Sequence, residues 1–200
     1  MSSEQISDYY NVTADRDARA ELKFALDQFD GPGIAVDCGC GAGADIAYLR
    51  QQGFSVHAFD VEAESIHRCQ QRFADDSQVF LSQASFETFD YPEADLVTAD
   101  ASLFFCPPQA IDDVIDKIHT ALVPGGIFNG AFLGPEDTMA GPDYDPEAYW
   151  SSVLTLTEKE LRQKLQRFEI LKWQEIKRQG KTAQGDDHFW HIYSVVAQKQ

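Results

Sequence analysis

The sequence predicts an α/β fold of the doubly wound type, with seven strands in a mostly parallel sheet and a C-terminal antiparallel hairpin. Up to residue 133, short apolar runs alternate with helical periodicity, the pattern of strands joined by helices. The last two strand-like runs, 168–177 and 189–197, have only a polar, glycine-containing stretch between them. A connection without a helix pairs strands antiparallel. The length suits one domain, which we expect to span 1–200.

The first 133 residues show the alternation most clearly. Leu22, Leu26 and Phe29 share one face of a predicted first helix at 14–30, within an N-terminal segment, 1–30, that would cap the domain. Five apolar runs between turn residues predict the parallel strands, at 34–38, 54–60, 79–84, 94–99 and 127–133. Helical periodicity between most of them indicates helices on both faces of the sheet.

Two more helices are predicted in the second half of the chain. Prolines at 107–108 open the first, since proline is tolerated in a first turn, and the Pro-Gly-Gly run 124–126 ends it. The second begins at Thr157, which has the capping-box spacing to Glu160. Between them, residues 134–156 lack clear periodicity, and a loop of that length is typical of a lid over a functional site.

The composition limits the partners. With 33 acidic and 16 basic side chains the net charge is −17, which repels phosphate backbones and favours a small-molecule substrate over nucleic acid. No membrane partner is expected, because no run of 18 apolar residues marks a span and the N-terminus lacks the pattern of a secretory signal. The sequence does not indicate an oligomeric state.

The cysteines indicate the compartment. They lack the spacing of a disulfide framework or a zinc site, and they stand at Cys38, Cys40, Cys69 and Cys106. We therefore expect reduced thiols in a cytoplasmic protein, with no metal site.

A glycine-rich turn, VDCGCGAG at 36–43, lies between the first strand and its helix. Glycines adopt turn dihedrals and let a ligand approach the backbone at the helix N-terminus, so Gly39, Gly41 and Gly43 indicate a ligand there. Asp60 ends the second strand, where a carboxylate can accept hydrogen bonds from both hydroxyls of a ribose. Together these features predict a site for a nucleoside cofactor.

The glycines alone do not decide which nucleoside binds. Gly39, Gly41 and Ala44 also fit the dinucleotide pattern G-x-G-x-x-A, so a nicotinamide-dependent dehydrogenase is an alternative. The negative charge of Asp37 would be repelled by a pyrophosphate but would pair well with an ammonium group. The chain after the fifth strand is also short for a separate substrate domain, and a terminal hairpin is unusual for a dehydrogenase.

These motifs resemble those of class I S-adenosylmethionine-dependent methyltransferases, whose sheet is Rossmann-like. VDCGCGAG looks like their first motif, LVPGG at 122–126 is similar to the turn before their fifth strand, and their sheet also ends antiparallel. More narrowly, FFCPP at 104–108, FLGPEDTMA at 132–140 and HFWHIYSVVAQK at 188–199 resemble the tellurite-resistance and thiopurine-methyltransferase-like bacterial enzymes. The resemblance implies methyl transfer to a small molecule, with S-adenosylhomocysteine as product.

The resemblance also implies a role for individual residues. Asp37 would bind the cofactor's amino group, Asp60 would bind its ribose, and Val61 would pack on the adenine. Apart from the resemblance, Tyr10 in the N-terminal segment could fold over the cofactor and Arg16 could pair with its carboxylate; alternatively, both are plain surface residues. The other implied contacts, at the methionine portion or the adenine edge, are Gly39, Cys40, Gly41, Gly43, Ala101, Ser85 and Phe86. Many relatives have an aspartate where this chain has Ser85.

The candidate residues near the methyl acceptor are inferred from the chemistry of the transfer. Methyl transfer from a sulfonium is an in-line displacement, so a dedicated base is optional. His188 and His191 begin the last strand-like run, and an imidazole there can act as a base; alternatively, they belong to a structural aromatic cluster. Asp100, after the fourth strand, is a further candidate base or a solvated strand end. A module that binds the cofactor without catalysis also fits the motifs.

Overall fold

The computed structural model describes residues 3–141 and 153–200. Seven strands form one sheet in the order β3-β2-β1-β4-β5-β7-β6. The strands are β1 Ile34–Cys38, β2 Ser55–Asp60, β3 Val79–Gln83, β4 Ala94–Ala99, β5 Leu122–Leu133, β6 Phe168–Lys181 and β7 Asp187–Lys199. The helices are α1 Ser3–Thr13, α2 Ala20–Leu26, α3 Ala44–Gln51, α4 Ala63–Arg72, α5 Ile111–Ala121 and α6 Glu158–Lys164.

The sheet confirms the predicted fold class. Strands β1 to β5 pair in parallel, and β7 pairs antiparallel with both β5 and β6. β1 lies between β2 and β4, with Asp37 in register with Ala58 on one side and Thr98 on the other. The strand order reverses at this point, and α/β sheets of this kind bind ligands beyond the carboxyl ends of the strands there.

Side chains that alternate along the strands divide the core in two. Val36, Val97 and Phe128 face the layer that contains α5, whereas Ala35 and Leu96 face the layer that contains α2, α3 and α4. Among the described residues, no helix combines the length and hydropathy needed to cross a bilayer.

The predicted helix at 14–30 is wrong. Within that range only α2 is an α-helix; α1 ends before it, and the segment 14–19 between the two helices is not helical. That segment, ADRDAR, has no large apolar side chain to bury, and its two arginines form ion pairs with distant carboxylates instead. Leu22 and Ala25 supply the buried face of α2.

Several strand and helix bounds also differ from expectation. The Pro-Gly-Gly run does not separate a helix from a strand but lies inside β5, as a bulge where the register with β4 shifts between Ala94 and Leu96. The two prolines stand before α5 rather than in it, in a turn closed by the Ala110 N–H and the Pro107 carbonyl. β6 and β7 extend four and two residues further around their connection than predicted.

The predicted capping box at the start of α6 is confirmed. Thr157 Oγ1 accepts a hydrogen bond from the Glu160 N–H at 3.3 Å, and the Glu160 carboxylate accepts the Thr157 N–H at 2.8 Å. Eleven of the 23 residues of the predicted lid, 142–152, lie outside the described residues. Its last residues pack beside β5, where the Leu156 N–H donates to the Leu133 carbonyl at 2.9 Å.

Candidate functional site

The turn after β1 requires glycine. Gly39, Gly41 and Gly43 have φ values of 73°, 52° and 80°, which favour a residue without a side chain. A Cβ at Gly39 would lie 2.6 Å from the Ser102 Cβ, and one at Gly43 would lie 2.8 Å from a ring carbon of Phe73. Gly41, by contrast, has open space beside it, with only the Tyr10 ring nearby at 3.7 Å.

Asp60 holds this turn from the neighbouring strand. Its Oδ2 accepts the Gly41 N–H at 2.9 Å, and its Oδ1 accepts the Glu62 N–H at 3.0 Å. Burial raises the pKa of Asp60, and these backbone donors partly offset the effect. A carboxylate oxygen can accept more than one hydrogen bond, so both oxygens of Asp60 can still accept one from a ligand hydroxyl.

Cys40 lies in the turn with its side chain turned towards α4. Its N–H and that of Gly39 donate to the Phe59 carbonyl at 3.0 and 2.8 Å. Its thiol lies 3.7 Å from the Ser65 hydroxyl, and Cys69 donates to the Gly41 carbonyl at 3.4 Å. Only the backbone of Cys40 therefore faces the carboxyl edge of the sheet. All four cysteines are free and buried.

Five charged side chains gather beside the turn, at the carboxyl ends of β1 and β4 and the start of α3. We call them the charged cluster: Arg16, Arg19, Asp37, Asp45 and Asp100. Four buried polar atoms in the described residues have no hydrogen-bond partner, and all four belong to this cluster. They are Arg16 Nη1, Asp37 Oδ2, Asp45 Oδ1 and Asp100 Oδ2. Buried polar groups are seldom left unpaired, so this concentration indicates a place for a ligand.

Two ion pairs order the cluster. Arg16 Nη2 lies 2.5 Å from Asp45 Oδ2, and Arg19 Nη1 donates to Asp100 Oδ1 at 3.2 Å. The Arg19 Nε atom is also 2.9 Å from Asp100 Oδ2, but its N–H is not aligned to bond that oxygen. Asp37 has no such partner; burial and then the charge of Asp45 raise its pKa, and only Arg16 opposes them appreciably.

Helix α1 covers the glycine turn. The Tyr10 ring is buried above Gly41, and the Arg68 guanidinium lies 5.6 Å from its centroid. Arg68 also donates to the Ser7 hydroxyl at 2.7 Å and to the Asn11 side chain at 2.8 Å. These contacts hold the Tyr10 ring over the glycine turn.

The residues at the carboxyl ends of β2 and β3 form one side of the candidate site. Val61 is half exposed beside Asp60. The Phe86 side chain belongs to the core, edge-on to Phe59 at 5.6 Å, so its side chain does not line this side of the site. Ser85 closes a turn with Thr88 through its N–H and hydroxyl.

Ala101 lies at the end of β4 with a φ of 54°, a conformation that costs a non-glycine residue about 1 kcal/mol or more. It lies between Asp100 of the charged cluster and Ser102, whose hydroxyl donates to the Cys38 carbonyl at 2.5 Å. The strained residue thus joins the cluster to the glycine turn, and such strain concentrates at functional sites.

His188 and His191 lie elsewhere, on β7, with β4 and β5 between that strand and β1. His188 Nε2 is 2.8 Å from Asp137 Oδ1, and the other oxygen of Asp137 accepts the His191 N–H at 2.9 Å. His191 uses both ring nitrogens, since Nδ1 accepts the Glu136 N–H and Nε2 lies 3.0 Å from Glu175. The structure therefore brings Asp100 to Asp37, and keeps the two histidines in a separate, hydrogen-bonded group.

Sequence reasoning missed Arg19 and Asp45. Two signals pointed to them: an aspartate in the first turn of the helix that follows the glycines, and an arginine three residues after Arg16 in an acidic chain. Neither signal is specific, because both residue types are common on protein surfaces. Only the fold shows that they meet at one place.

Comparison with known proteins supports a methyltransferase. A family model described as a methyltransferase domain matches residues 35–126, which contain all of β1 but its first residue, the glycine turn and Asp60. That match covers 92 of the 200 residues, and together with the sheet order it supports a class I S-adenosylmethionine-dependent methyltransferase. The carboxy-S-adenosyl-L-methionine synthase of Photobacterium profundum is 30% identical over 99 residues, which are 46% of this chain and 41% of that protein. The chain thus spans less than half the length of the curated relatives it matches.

Solved structures of other methyltransferases share the fold. TehB from Haemophilus influenzae superposes with a TM-score of 0.75 at 16% identity, over 98% of this chain and 67% of that one. The 1,6-didemethyltoxoflavin-N1-methyltransferase of Burkholderia thailandensis gives a TM-score of 0.70 at 22% identity, over 99% and 86% of the two chains. At such identities the likeness concerns the fold.

Proposed function

We propose that this methyltransferase transfers a methyl group from S-adenosylmethionine to a small-molecule acceptor. The observation that carries the proposal is the pair of unpartnered buried groups beside the glycine turn, a carboxylate oxygen of Asp37 and a guanidinium nitrogen of Arg16. An amino-acid zwitterion has one ammonium and one carboxylate group, which satisfy these two atoms together. A dinucleotide offers phosphates instead, and Asp37 would repel them.

The remaining parts of the cofactor fit the predicted residues. Asp60 retains hydrogen-bonding capacity for the ribose, and the exposed side of Val61 suits the adenine face. The backbone at Ser85 and Phe86 is the predicted contact for the adenine edge. The turn of Gly39, Cys40, Gly41 and Gly43, with Ala101 across from it, is the predicted contact for the methionine portion.

When bound, the cofactor supplies the electrophilic methyl group, and the chain supplies binding and orientation. Tyr10 and α1 would exclude water from the donor, and Arg16 and Asp37 would fix the end of its amino-acid arm. Asp100 would border the acceptor side, where it can take a proton if the acceptor carries one. His188 and His191 are further candidate bases, in the separate group on β7 where both are already bonded to carboxylates.

A ligand-binding panel tests the class of cofactor. Isothermal titration calorimetry with S-adenosylmethionine, S-adenosylhomocysteine and NADH should show binding of the first two only. Binding of NADH with no affinity for S-adenosylhomocysteine would make the protein a dehydrogenase candidate. Tight binding of S-adenosylmethionine without turnover on a broad panel of small acceptors would favour a module that binds the cofactor without catalysis.

Asp60→Ala tests the ribose assignment. We expect donor affinity to fall by about 1–3 kcal/mol, the usual loss for hydrogen bonds to a charged group. Because Asp60 also holds the turn, Asp60→Asn is the matched variant: it keeps one oxygen and the shape but loses the charge. Titration of both variants with S-adenosylhomocysteine at constant salt gives the comparison, and unchanged affinity in both would refute the assignment.

The curated relatives suggest a second candidate, synthesis of a carboxylated donor. The charged cluster disfavours it, because a carboxylate on the transferred carbon would face three aspartates and only two arginines. Mass spectrometry of the nucleoside products separates the two reactions. Formation of S-adenosylhomocysteine supports methyl transfer, and a carboxylated S-adenosylmethionine would support the second.

A further inference from the structure

We propose that Asp100 makes the cleft discriminate by charge, so that it binds the sulfonium donor in preference to the uncharged thioether product. The inference rests on the proposed function, and it assigns Asp100 a role that does not depend on proton transfer. It follows from the number of charges in the cluster and from which of them stay unpaired.

The charged cluster has a surplus of negative charge. Three carboxylates, Asp37, Asp45 and Asp100, face the two guanidinium groups of Arg16 and Arg19. Asp60 adds a further negative charge nearby. The amino-acid arm of the donor carries one positive and one negative group and therefore does not change this balance. Only a second positive charge on the ligand compensates the surplus.

Asp100 is the carboxylate that the amino-acid arm leaves uncompensated. Asp45 has its ion pair with Arg16, and Asp37 is assigned to the ammonium group. Asp100 Oδ2 has no hydrogen-bond donor, and the Asp100 side chain is only 9% exposed. Its partner, Arg19, is 43% exposed, so water weakens the compensation that this guanidinium gives.

The position of Asp100 suits a charge at the sulfur. Asp60 ends β2, Asp37 lies near the end of β1 and Asp100 follows β4, which are three adjacent strands. Tyr9 interacts electrostatically with both Asp60 and Asp100. In the donor, the sulfur joins the ribose to the amino-acid arm, so ligand groups at Asp60 and Asp37 confine it to this same edge. Coulomb attraction between a carboxylate and a sulfonium is strengthened in a partly buried cleft.

The surroundings of Asp100 agree with a surplus of negative charge. Burial raises the pKa of its carboxyl group, and Asp45 and Glu21 add to the effect against Arg19 and Arg16. A positive group on the ligand would lower the pKa of Asp100 again and so favour its ionised form. The thioether product carries no such group.

The test compares three ligands by titration calorimetry at low salt. S-adenosylmethionine carries a sulfonium, sinefungin a protonated amine at the equivalent position, and S-adenosylhomocysteine neither. We expect the wild-type protein to bind both cations at least about fivefold tighter than S-adenosylhomocysteine. In Asp100→Asn the preference should fall below about twofold, through weaker binding of the cations. An unchanged preference in a folded Asp100→Asn protein overturns the inference.

Two further variants keep the test decisive. Asp112→Asn removes a carboxylate from an ion pair with Lys164 outside the cleft, with 76% of the Asp112 side chain exposed, and should keep the wild-type preference. Arg19→Gln removes the opposing charge and should widen the preference, which tests the idea even if Asp100→Asn does not fold. Equal affinity of the wild-type protein for all three ligands contradicts the inference alone, whereas no affinity for any of them contradicts the proposed function.

Discussion

The two ends of the sheet's carboxyl edge differ in whether their buried polar groups are hydrogen-bonded. At β1 and β4, the charged cluster leaves four buried polar atoms without a partner. At β7, His188 and His191 are just as buried, but Asp137, Glu136 and Glu175 bond them. Both ends contain the residue types that sequence reasoning singles out, so the residue type does not separate them.

The difference has an energetic meaning. A buried polar group without a partner costs about 1–3 kcal/mol of stability, and more when it is charged. A folded protein can keep such a cost where a ligand removes it, which is what we propose for the charged cluster. The paired histidines carry no comparable cost, and their bonds fasten the segment after β5 to the start of β7. The unpaired groups therefore support a donor site at this end, which we call the donor end, whereas the groups at the β7 end are hydrogen-bonded without a ligand.

The largest expected effect at the donor end is that of Gly39→Ala. Its Cβ would overlap Ser102 in a residue whose φ is 73°, so the turn must shift away from its position. We expect donor affinity to fall beyond the range of titration calorimetry and the melting temperature to drop. Gly31→Ala is the control, because a Cβ there meets nothing within 4 Å, and it should change neither quantity. Wild-type affinity in Gly39→Ala would show that the turn does not contact the donor.

The second effect is that of Asp37→Asn, which should act in opposite directions on binding and stability. Donor affinity should fall by at least about tenfold, because the ammonium group loses a charged partner. The ligand-free protein should melt about 2–4 °C higher, the shift that ~1 kcal/mol gives at this size, since a buried charge is removed. Thermal unfolding with and without S-adenosylhomocysteine measures both, with Asp112→Asn as the control for net charge.

The pH dependence of that difference has a definite sign. The pKa of Asp37 is raised in the folded protein, so its carboxyl group favours folding most below its unfolded pKa of about 3.9. This contribution is lost as the pH rises through the folded pKa. The melting temperature of Asp37→Asn should therefore exceed that of the wild type increasingly across this range. A constant difference with pH would mean that Asp37 does not titrate there.

The smallest expected effect on donor affinity is that of His188→Ala at β7. Loss of its bond to the fully buried Asp137 should lower the free energy of unfolding by about 1–3 kcal/mol and leave the affinity for S-adenosylhomocysteine unchanged. Methyl transfer should fall as well, because His188 is a predicted base. His188→Gln keeps a donor for Asp137 and should restore stability but not transfer. A parallel loss of donor affinity would show that the two ends are coupled.

The fold was predictable because its signals are local. The runs at 34–38 and 94–99 coincide with β1 and β4, since buried parallel strands are short, apolar and bounded by turn residues. The Thr157 capping box involves residues only three apart in sequence, so spacing alone identifies it. The helix predicted at 14–30 failed because apolar spacing at its end was extended over a segment whose arginines form long-range ion pairs.

The sequence by itself determined the strand–glycine–helix unit, the acidic residue that ends β2 and the antiparallel ending of the sheet. Each depends on residues close together in the chain, where backbone sterics and side-chain alternation act. Only the tertiary structure decided which charges meet. Arg16, Asp45 and Asp100 come from three separate parts of the chain, and the strand order brings them to one end of the carboxyl edge while it carries His188 to the other end. Electrostatic interactions depend on distance in space and burial, and sequence spacing gives neither.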